Sequence, residues 1–265
     1  MRLIIFSTIF ALIALFTAQA SAQEVSEADT VDMGILLRKE MSGNVLIHTL
    51  GYGIGYRQGI NKTYFKSLMF DFEFSEMRAP NQYRRYNENF AHPRGYFYGK
   101  LNNLYILHAG IGEQHLLNRK PYWGGVEVRG FYYGGFSLGI ARPVYLYIAY
   151  YTIADNIISL DHLSLEKYDS EVHFPYIGQN PSTLCDIYGR GPILSGINKI
   201  KPYPGLYAKV GFSFDFSALN DRIKALEVGV TADIFPKAIP IMAFSDPYSF
   251  FLTGYLSFHF GKRYN

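Results

Sequence analysis

Charged side chains recur at alternate positions in segments whose intervening positions are apolar. Such side chains share one face of a strand, where they could form an ion-pair network, bind a small charged ligand or transfer protons. We expect the ion-pair network, because buried charges need partners, and keep a ligand or proton-transfer site as the alternative. The set comprises Arg57, Asp71, Glu73, Lys100, His108, Glu127, Arg129, Lys209, Asp215, Glu227, Asp233 and His259.

A second group of candidate residues lies in the stretch 152–202, which lacks sustained alternation. Carboxylates and imidazoles could hold a metal ion there, and a serine beside a histidine could act as a nucleophile. Their spacing matches no compact ligand motif and gives no geometry for a catalytic set, so we expect no catalytic residue, no metal ligand and no cofactor. The residues are Asp155, Asp161, His162, Glu166, Asp169, Glu171, His173 and Ser182.

The run GYGIGY at positions 51–56 has three glycines at alternate positions. It lacks the third glycine of a dinucleotide-binding loop at the required spacing, and no helix is predicted after it. By pattern its glycines share a face with Gly135 and Gly139. We therefore expect glycines to make room inside a narrow barrel for inward rings such as Phe131 and Tyr133.

The elements that carry these residues are predicted strands. Their side chains alternate with a period of two, with apolar residues on one face and polar residues or glycine on the other. In the last strand the even positions from Tyr248 to Phe260 are apolar or glycine. The predicted strands are 44–57, 63–76, 96–113, 124–140, 144–151, 205–216, 226–235 and 248–260.

Eight strands predict an antiparallel transmembrane β-barrel with both ends in the periplasm. Tracing the chain up and down puts 152–202 in a long extracellular loop and 217–224 in a periplasmic turn. The same trace makes 77–94 an unusually long periplasmic connection. A break of the fourth strand at 134–135 would change the count by two.

The apolar faces carry little charge, which favours lipid over water as their surroundings. The alternative is an exported soluble β-sandwich or small barrel, whose outer face would carry more Lys, Glu and Asp. The composition, with 23 Tyr and 21 Phe, suits the aromatic girdles of a membrane barrel. We therefore predict an outer-membrane protein.

The first 22 residues have the charge, apolar core and small-residue exit of a signal peptide. We expect cleavage there, a periplasmic segment at 23–43 and the barrel at 44–265. Beyond residue 22 no uncharged apolar run is long enough for a helical span. The single cysteine, Cys185, excludes an internal disulfide.

Nine segments carry a resemblance to a known family: YGKLNN (98–103), KP (120–121), GGVEVR (124–129), GGFSLG (134–139), PVYLY (143–147), IYGR (187–190), NDRIKALEVG (220–229), FLT (251–253) and FGK (260–262). Over about residues 38–262 the chain resembles outer-membrane β-barrel proteins of the Bacteroidota type. The resemblance implies the barrel fold and the outer-membrane location, and it implies no particular activity. Phe260, with Phe258 on the same face, is the predicted signal for the barrel-insertion machinery, although five residues follow it.

The expected function is that of a structural or interaction component of the cell envelope. Its partners would be outer-membrane lipid, the insertion machinery and another envelope protein. The formal net charge of +3 gives no indication of nucleic-acid binding. A transporter or receptor for a small ligand is the alternative, and an enzyme with a site near 152–202 is the third possibility. The sequence favours a protein that is not an enzyme.

Overall fold

The computed structural model describes residues 37–87, 94–119, 125–154, 157–168, 183–192, 194–217, 221–243 and 245–265, without the side chains of 152–159 and 183–186. The predicted signal peptide and residues 23–36 lie outside this range. Among the described residues, no helix has the length and apolar character that a membrane crossing requires.

The described residues form thirteen strands: β1 (Lys39–His48), β2 (Gly51–Asn61), β3 (Lys66–Met77), β4 (Arg84–Arg85), β5 (Tyr96–Phe97), β6 (Asn102–Asn118), β7 (Glu127–Pro143), β8 (Tyr145–Ala154), β9 (Ile157–Lys167), β10 (Thr183–Arg190), β11 (Lys201–Asp215), β12 (Arg222–Ile239) and β13 (Tyr248–Tyr264). Eight of them close into a barrel. Around the barrel the order is β1-β13-β12-β11-β7-β6-β3-β2, and every neighbouring pair is antiparallel. The predicted fold class, an all-β antiparallel barrel of eight strands, is confirmed.

The barrel closes where its first strand meets its last. Lys39 pairs with Tyr264, and the ladder continues to His48 opposite Tyr255. The last strand was expected to close against the first, and it does. The strand nevertheless extends four residues past Phe260, so the predicted assembly signal lies within β13.

The predicted first strand, 44–57, is wrong, because it is a hairpin of β1 and β2. The chain reverses at Thr49 and Leu50, where the Leu50 amide donates to Nδ1 of His48 at 3.2 Å. Neither turn residue is Gly, Asn or Asp, so the usual hairpin signal is missing. The turn also changes the parity of β1, so Leu46 points inward at 2 % exposure rather than outward.

The predicted fifth barrel strand, 144–151, is also wrong. It corresponds to β8, which lies outside the barrel as the central strand of the sheet β10-β8-β9. The prediction merged β1 and β2 into one strand and counted β8 as a barrel strand. The two errors cancel, so the predicted number of eight is right although two of its strands are wrong. The suggested break at 134–135 does not occur, because β7 runs unbroken from Glu127 to Pro143.

The two mouths of the barrel differ in their connections. The mouth that holds both strand termini, Lys39 and Tyr264, has the connections 62–65, 119–126 and 216–221. The opposite mouth has the connections 49–50, 78–101, 144–200 and 240–247. Outer-membrane barrels have short periplasmic turns and longer extracellular loops, so the second mouth is extracellular. The described parts of the stretch before Tyr96, 78–87 and 94–95, therefore lie outside the cell rather than in the periplasm, because the hairpin inserts one more crossing before them.

Aromatic rings inside the barrel lie against glycines, as the prediction that glycines make room for inward rings requires. A Cβ on Gly112 would lie 2.4 Å from Cδ1 of Tyr133, and one on Gly211 would lie 2.9 Å from Cζ of Phe131. Among the predicted glycines, Gly139 adjoins a buried ring, because its Cβ would lie 3.2 Å from Cε1 of Phe235. Gly135 allows a close approach of backbones, because its Cβ would lie 2.3 Å from the carbonyl oxygen of Ala109.

The outer wall of the barrel is apolar on every strand. Phe136, near the middle of β7, is 74 % exposed, and soluble monomers rarely expose large contiguous apolar surfaces. A closed antiparallel barrel with such a belt is the architecture of outer-membrane proteins, which confirms the predicted location and excludes the soluble alternative. The exposed belt residues are Val45, Ile47, Tyr52, Ile54, Tyr56, Phe72, Phe74, Leu107, Ile111, Tyr132, Phe136, Leu138, Leu206, Val210, Phe212, Val228, Val230, Ile234, Phe250, Leu252, Leu256, Phe258 and Phe260.

Candidate functional site in the barrel interior and at its extracellular mouth

The guanidinium of Arg57 lies at the centre of the barrel interior. Its Nε donates to Oδ1 of Asp71 at 3.0 Å, and its two terminal nitrogens donate to the carboxylate of Glu227, with 3.2 Å between Nη2 and Oε2. The guanidinium carbon lies 4.7 Å from the ring centre of Tyr133 and 5.7 Å from that of Phe131. Arg57 thus joins three strands, β2, β3 and β12, and is itself 4 % exposed.

Lys209 is the second buried cation. Its Nζ lies 2.5 Å from Oε2 of Glu73 and 3.7 Å from Oδ2 of Asp71. The same nitrogen lies 4.5 Å from the ring centre of Tyr255. Because Asp71 faces both cations, the contacts of Lys209 and those of Arg57 form one connected network.

Two histidines extend the network. His108 places Nε2 2.8 Å from Oδ1 of Asp233 and Nδ1 3.7 Å from Oε1 of Glu73. His259 places Nε2 3.0 Å from Oε2 of Glu227. Both histidines are 2 % exposed, so solvent has little access to either imidazole ring.

Eight of the twelve predicted residues therefore meet in one buried network. Within it two permanent cations and two imidazoles face four carboxylates, and every charged side chain has an oppositely charged or imidazole neighbour. This arrangement stabilises buried charges. The eight are Arg57, Asp71, Glu73, His108, Lys209, Glu227, Asp233 and His259.

Three of the remaining four residues lie at the periplasmic mouth. Arg129 donates from Nε to Oε1 of Glu127 at 2.6 Å, and Asp215 accepts from Nη2 of Arg263 at 2.8 Å. Arg263 also donates to Glu40 at 3.3 Å. Arg263 and Glu40 were missed, because one follows Phe260 and the other precedes the predicted start of the barrel. For Arg263 the available signal was its parity with His259, whereas the reversed parity assigned to β1 hid Glu40.

The interior is filled rather than open. Near the periplasmic mouth, the cavity between the network and Arg263 has a volume of about 20 Å³, enough for a water molecule and little more. An apolar cluster fills the extracellular half. Its members are Met77, Ala79, Leu104, Ile106, Ala141, Tyr203, Phe235, Ile239, Ile241, Met242 and Phe251.

The described candidates of the 152–202 stretch do not gather into a site. His162 and Asp161 contact each other at 2.9 Å, and both side chains are 59 % exposed. Glu166 accepts a hydrogen bond from Tyr150 at 2.8 Å. Within the described ranges no three His, Cys, Asp or Glu side chains are placed to hold a metal ion. Asp155, Asp169, Glu171, His173 and Ser182 lie outside the described residues.

The last predicted residue, Lys100, lies apart from the network at the extracellular mouth. It lines a groove of about 400 Å³ between the outer wall of the barrel and the chain that leads into and out of the outer sheet β10-β8-β9. Lys100 is 3 % exposed, and its Nζ lies 5.0 Å from the ring centre of Phe97. Burial lowers the pKa of Lys100 to about 8, although the charge of Glu76 opposes this shift. Lys100 lies apart from its predicted position because the missed hairpin reversed the direction assigned to this part of the chain.

Comparisons with known proteins give weak likenesses. No family model and no curated protein matches the chain. Among solved structures the chain is similar to Neisserial surface protein A, at 10 % identity and a TM-score of 0.36, over 85 % of this chain and 96 % of that one. It is also similar to the attachment invasion locus protein Ail of Yersinia pestis. In complex with the heparin analogue sucrose octasulfate that protein gives 8 % identity and a TM-score of 0.35, over 86 % of this chain and 97 % of that one.

The assignment as an outer-membrane barrel therefore rests on this chain's own closed sheet and apolar belt. The Bacteroidota-type resemblance and the signal peptide remain predictions. The chain is an eight-stranded outer-membrane β-barrel with a filled interior and a folded extracellular layer.

Proposed function

We propose that the protein is an interaction or structural component of the cell envelope that acts from its extracellular layer. The observation that carries this proposal is the filled interior. A transporter needs a path that a solute can follow, and here apolar packing closes one half of the barrel while an ion-pair network closes the other.

The extracellular closure is built into the fold and is not a loose loop. Residues 240–243 cross the mouth, where the carbonyl oxygen of Ile241 accepts from the amide of Leu101 at 2.9 Å. The amide of Ala243 donates to the carbonyl oxygen of Gly99 at 2.7 Å. Ile241 is 1 % exposed and packs into the apolar cluster. Opening this mouth would break backbone hydrogen bonds and expose apolar surface.

The extracellular layer has a core of its own, which supports a role in recognition. Tyr96, Leu146, Ile148, Tyr168 and Ile187 pack together above the barrel. The hydroxyl of Tyr168 accepts from the amide of Gly99 at 3.2 Å, which ties the layer to the connection before β6. A rigid scaffold that holds folded surface segments is the usual setting of binding sites.

A photo-crosslinking amino acid at Leu163 tests this proposal in intact cells. Leu163 is 46 % exposed on β9, in the extracellular layer. We expect a discrete crosslinked product that contains an envelope protein. The matched control is Lys224, an exposed residue of β12 at the periplasmic mouth. Absence of a product from Leu163, or the same product from Lys224, would rule out a partner bound through the layer.

We also propose that Phe258 and Phe260 act as the insertion signal. Both point outward, at 43 % and 58 % exposure, so the insertion machinery could contact them before the barrel closes.

A further inference from the structure

The groove that contains Lys100 runs along the outside of the barrel at the level where the membrane ends. Tyr52, Glu76 and Tyr105 lie side by side in its wall, since Tyr52 pairs with Glu76 and Glu76 with Tyr105 across β2, β3 and β6. The next outward row toward the periplasm contains Phe74 and Leu107, which belong to the apolar belt. Two residues along a strand span roughly 7 Å, so the groove adjoins the extracellular edge of the belt, to which Tyr52 itself belongs.

The groove is strongly cationic. Arg78, Lys100, Arg142 and Arg190 line it, and Glu76 is the one carboxylate among its lining residues. Glu76 already accepts two hydrogen bonds from Arg78, at 3.2 and 3.3 Å. Lys100 and Arg190 add two further positive charges to the groove.

Lys100 is the residue that points most directly to an anionic ligand. Its side chain is nine-tenths buried or more, and the described residues place no carboxylate within 4 Å of its ammonium group. Glu76 opposes the lowering of the Lys100 pKa, but it already pairs with Arg78, and burial outweighs its charge. An anion in the groove would give the ammonium group a partner of its own.

We propose that this groove binds the phosphate group of a lipid in the outer leaflet. Lys100, Arg78 and Arg190 hold the phosphate, while the acyl chains lie against the apolar belt below. Arginine and lysine pair strongly with phosphate oxygens, and basic pockets beside a membrane bind lipid headgroups in this way.

The aromatic wall favours a lipid over a soluble anion. Tyr105 stacks on Phe74 with 5.8 Å between ring centres, and the guanidinium carbon of Arg142 lies 5.7 Å from the ring centre of Tyr105. Arg78 lies in the same manner over Tyr52, at 5.2 Å. Tyrosines beside cations at the edge of an apolar belt are typical of the membrane interface. A soluble phosphate would contact only the cations.

Native mass spectrometry of the purified protein tests the proposal. The protein is released from bilayers of phosphatidylcholine that contain a minor fraction of phosphatidic acid, and the retained lipid is counted. We expect wild type to retain phosphatidic acid, and the double variant Arg78→Gln, Arg190→Gln to retain roughly tenfold less. Both arginines have exposed side chains, so this variant keeps the fold. Lys100→Met should show a similar loss.

The matched control removes two charges at the same mouth from another cavity. Lys199 and Lys201 are exposed and line a cavity that does not contain Lys100. Lys199→Gln, Lys201→Gln should retain phosphatidic acid as wild type does. Equal losses in both double variants would show nonspecific attraction and overturn the proposal. Displacement of the lipid by an equal concentration of inorganic phosphate would also overturn it, because the site would then select a free anion.

Discussion

Replacing Arg57 with methionine should lower the free energy of unfolding by about 3–5 kcal/mol, one of the two largest effects we expect. The change leaves the carboxylates of Asp71 and Glu227 in the interior without their shared cation. It also removes the cation–π contact with Tyr133. Urea unfolding in detergent micelles, followed by far-ultraviolet circular dichroism, measures the loss.

Arg78→Met is the matched control for this experiment, since Arg78 pairs with Glu76 at 3.2 Å but has a 45 % exposed side chain. It should cost no more than about 1 kcal/mol in the absence of anionic lipid. A second variant, Arg57→Met with Glu227→Gln, should recover part of the loss because it removes one of the two buried carboxylates that have lost the guanidinium. If Arg57→Met cost as little as Arg78→Met, the network would not be holding the strands together.

Phe136→Arg should destabilise the folded barrel in a bilayer by about 2–4 kcal/mol. Phe136 is 74 % exposed at the middle of β7, where a guanidinium would have to enter the hydrocarbon. Phe216→Arg provides a depth control, because Phe216 is 50 % exposed just beyond the periplasmic end of β11. Its expected cost is about 0–1 kcal/mol, since its charge can reach the interface.

Reversible unfolding from phosphatidylcholine vesicles measures both changes. A large difference between the two positions is the expected result. Equal costs for Phe136 and Phe216 would mean that the apolar belt does not lie across a membrane, and the location would have to be reconsidered.

The faces of the strands could be predicted because the two sides of the wall meet different surroundings. In β13 the alternation of Leu256, Ser257, Phe258 and His259 gives exposed, buried, exposed and buried side chains. Lipid selects apolar residues on one side, and the packed interior selects polar residues and glycine on the other. A one-residue shift would reverse every position, so the pattern defines the orientation strongly.

The errors arose where the local pattern does not contain the deciding information. The turn at Thr49 and Leu50 interrupts a run that alternates on both sides of it, and it lacks turn residues. In β8, Leu146 and Ile148 alternate as in a barrel strand, but they face the core of the extracellular layer. Only the pairing of β8 with β9 and β10 distinguishes the two settings.

The chemistry of the interior network could be anticipated, but its pairing could not. Arg57 and Glu227 are separated by 170 positions, and their contact depends on the order of strands around the closed barrel. Lys100 was predicted to join the network because of its residue type, but it lies at the extracellular mouth and outside the network. Local parity predicts which side chains enter the barrel, whereas topology decides the level at which each one lies.

Electrical recording across a planar bilayer tests the central claim most directly. Purified wild-type protein, with folding verified by circular dichroism, should insert without producing discrete single-channel steps. Met77, Leu104, Ile106, Phe235 and Ile241 fill one half of the barrel, and ion pairs fill the other. Reproducible steps of defined conductance that disappear with Glu227→Gln would contradict a filled interior and support a transporter instead.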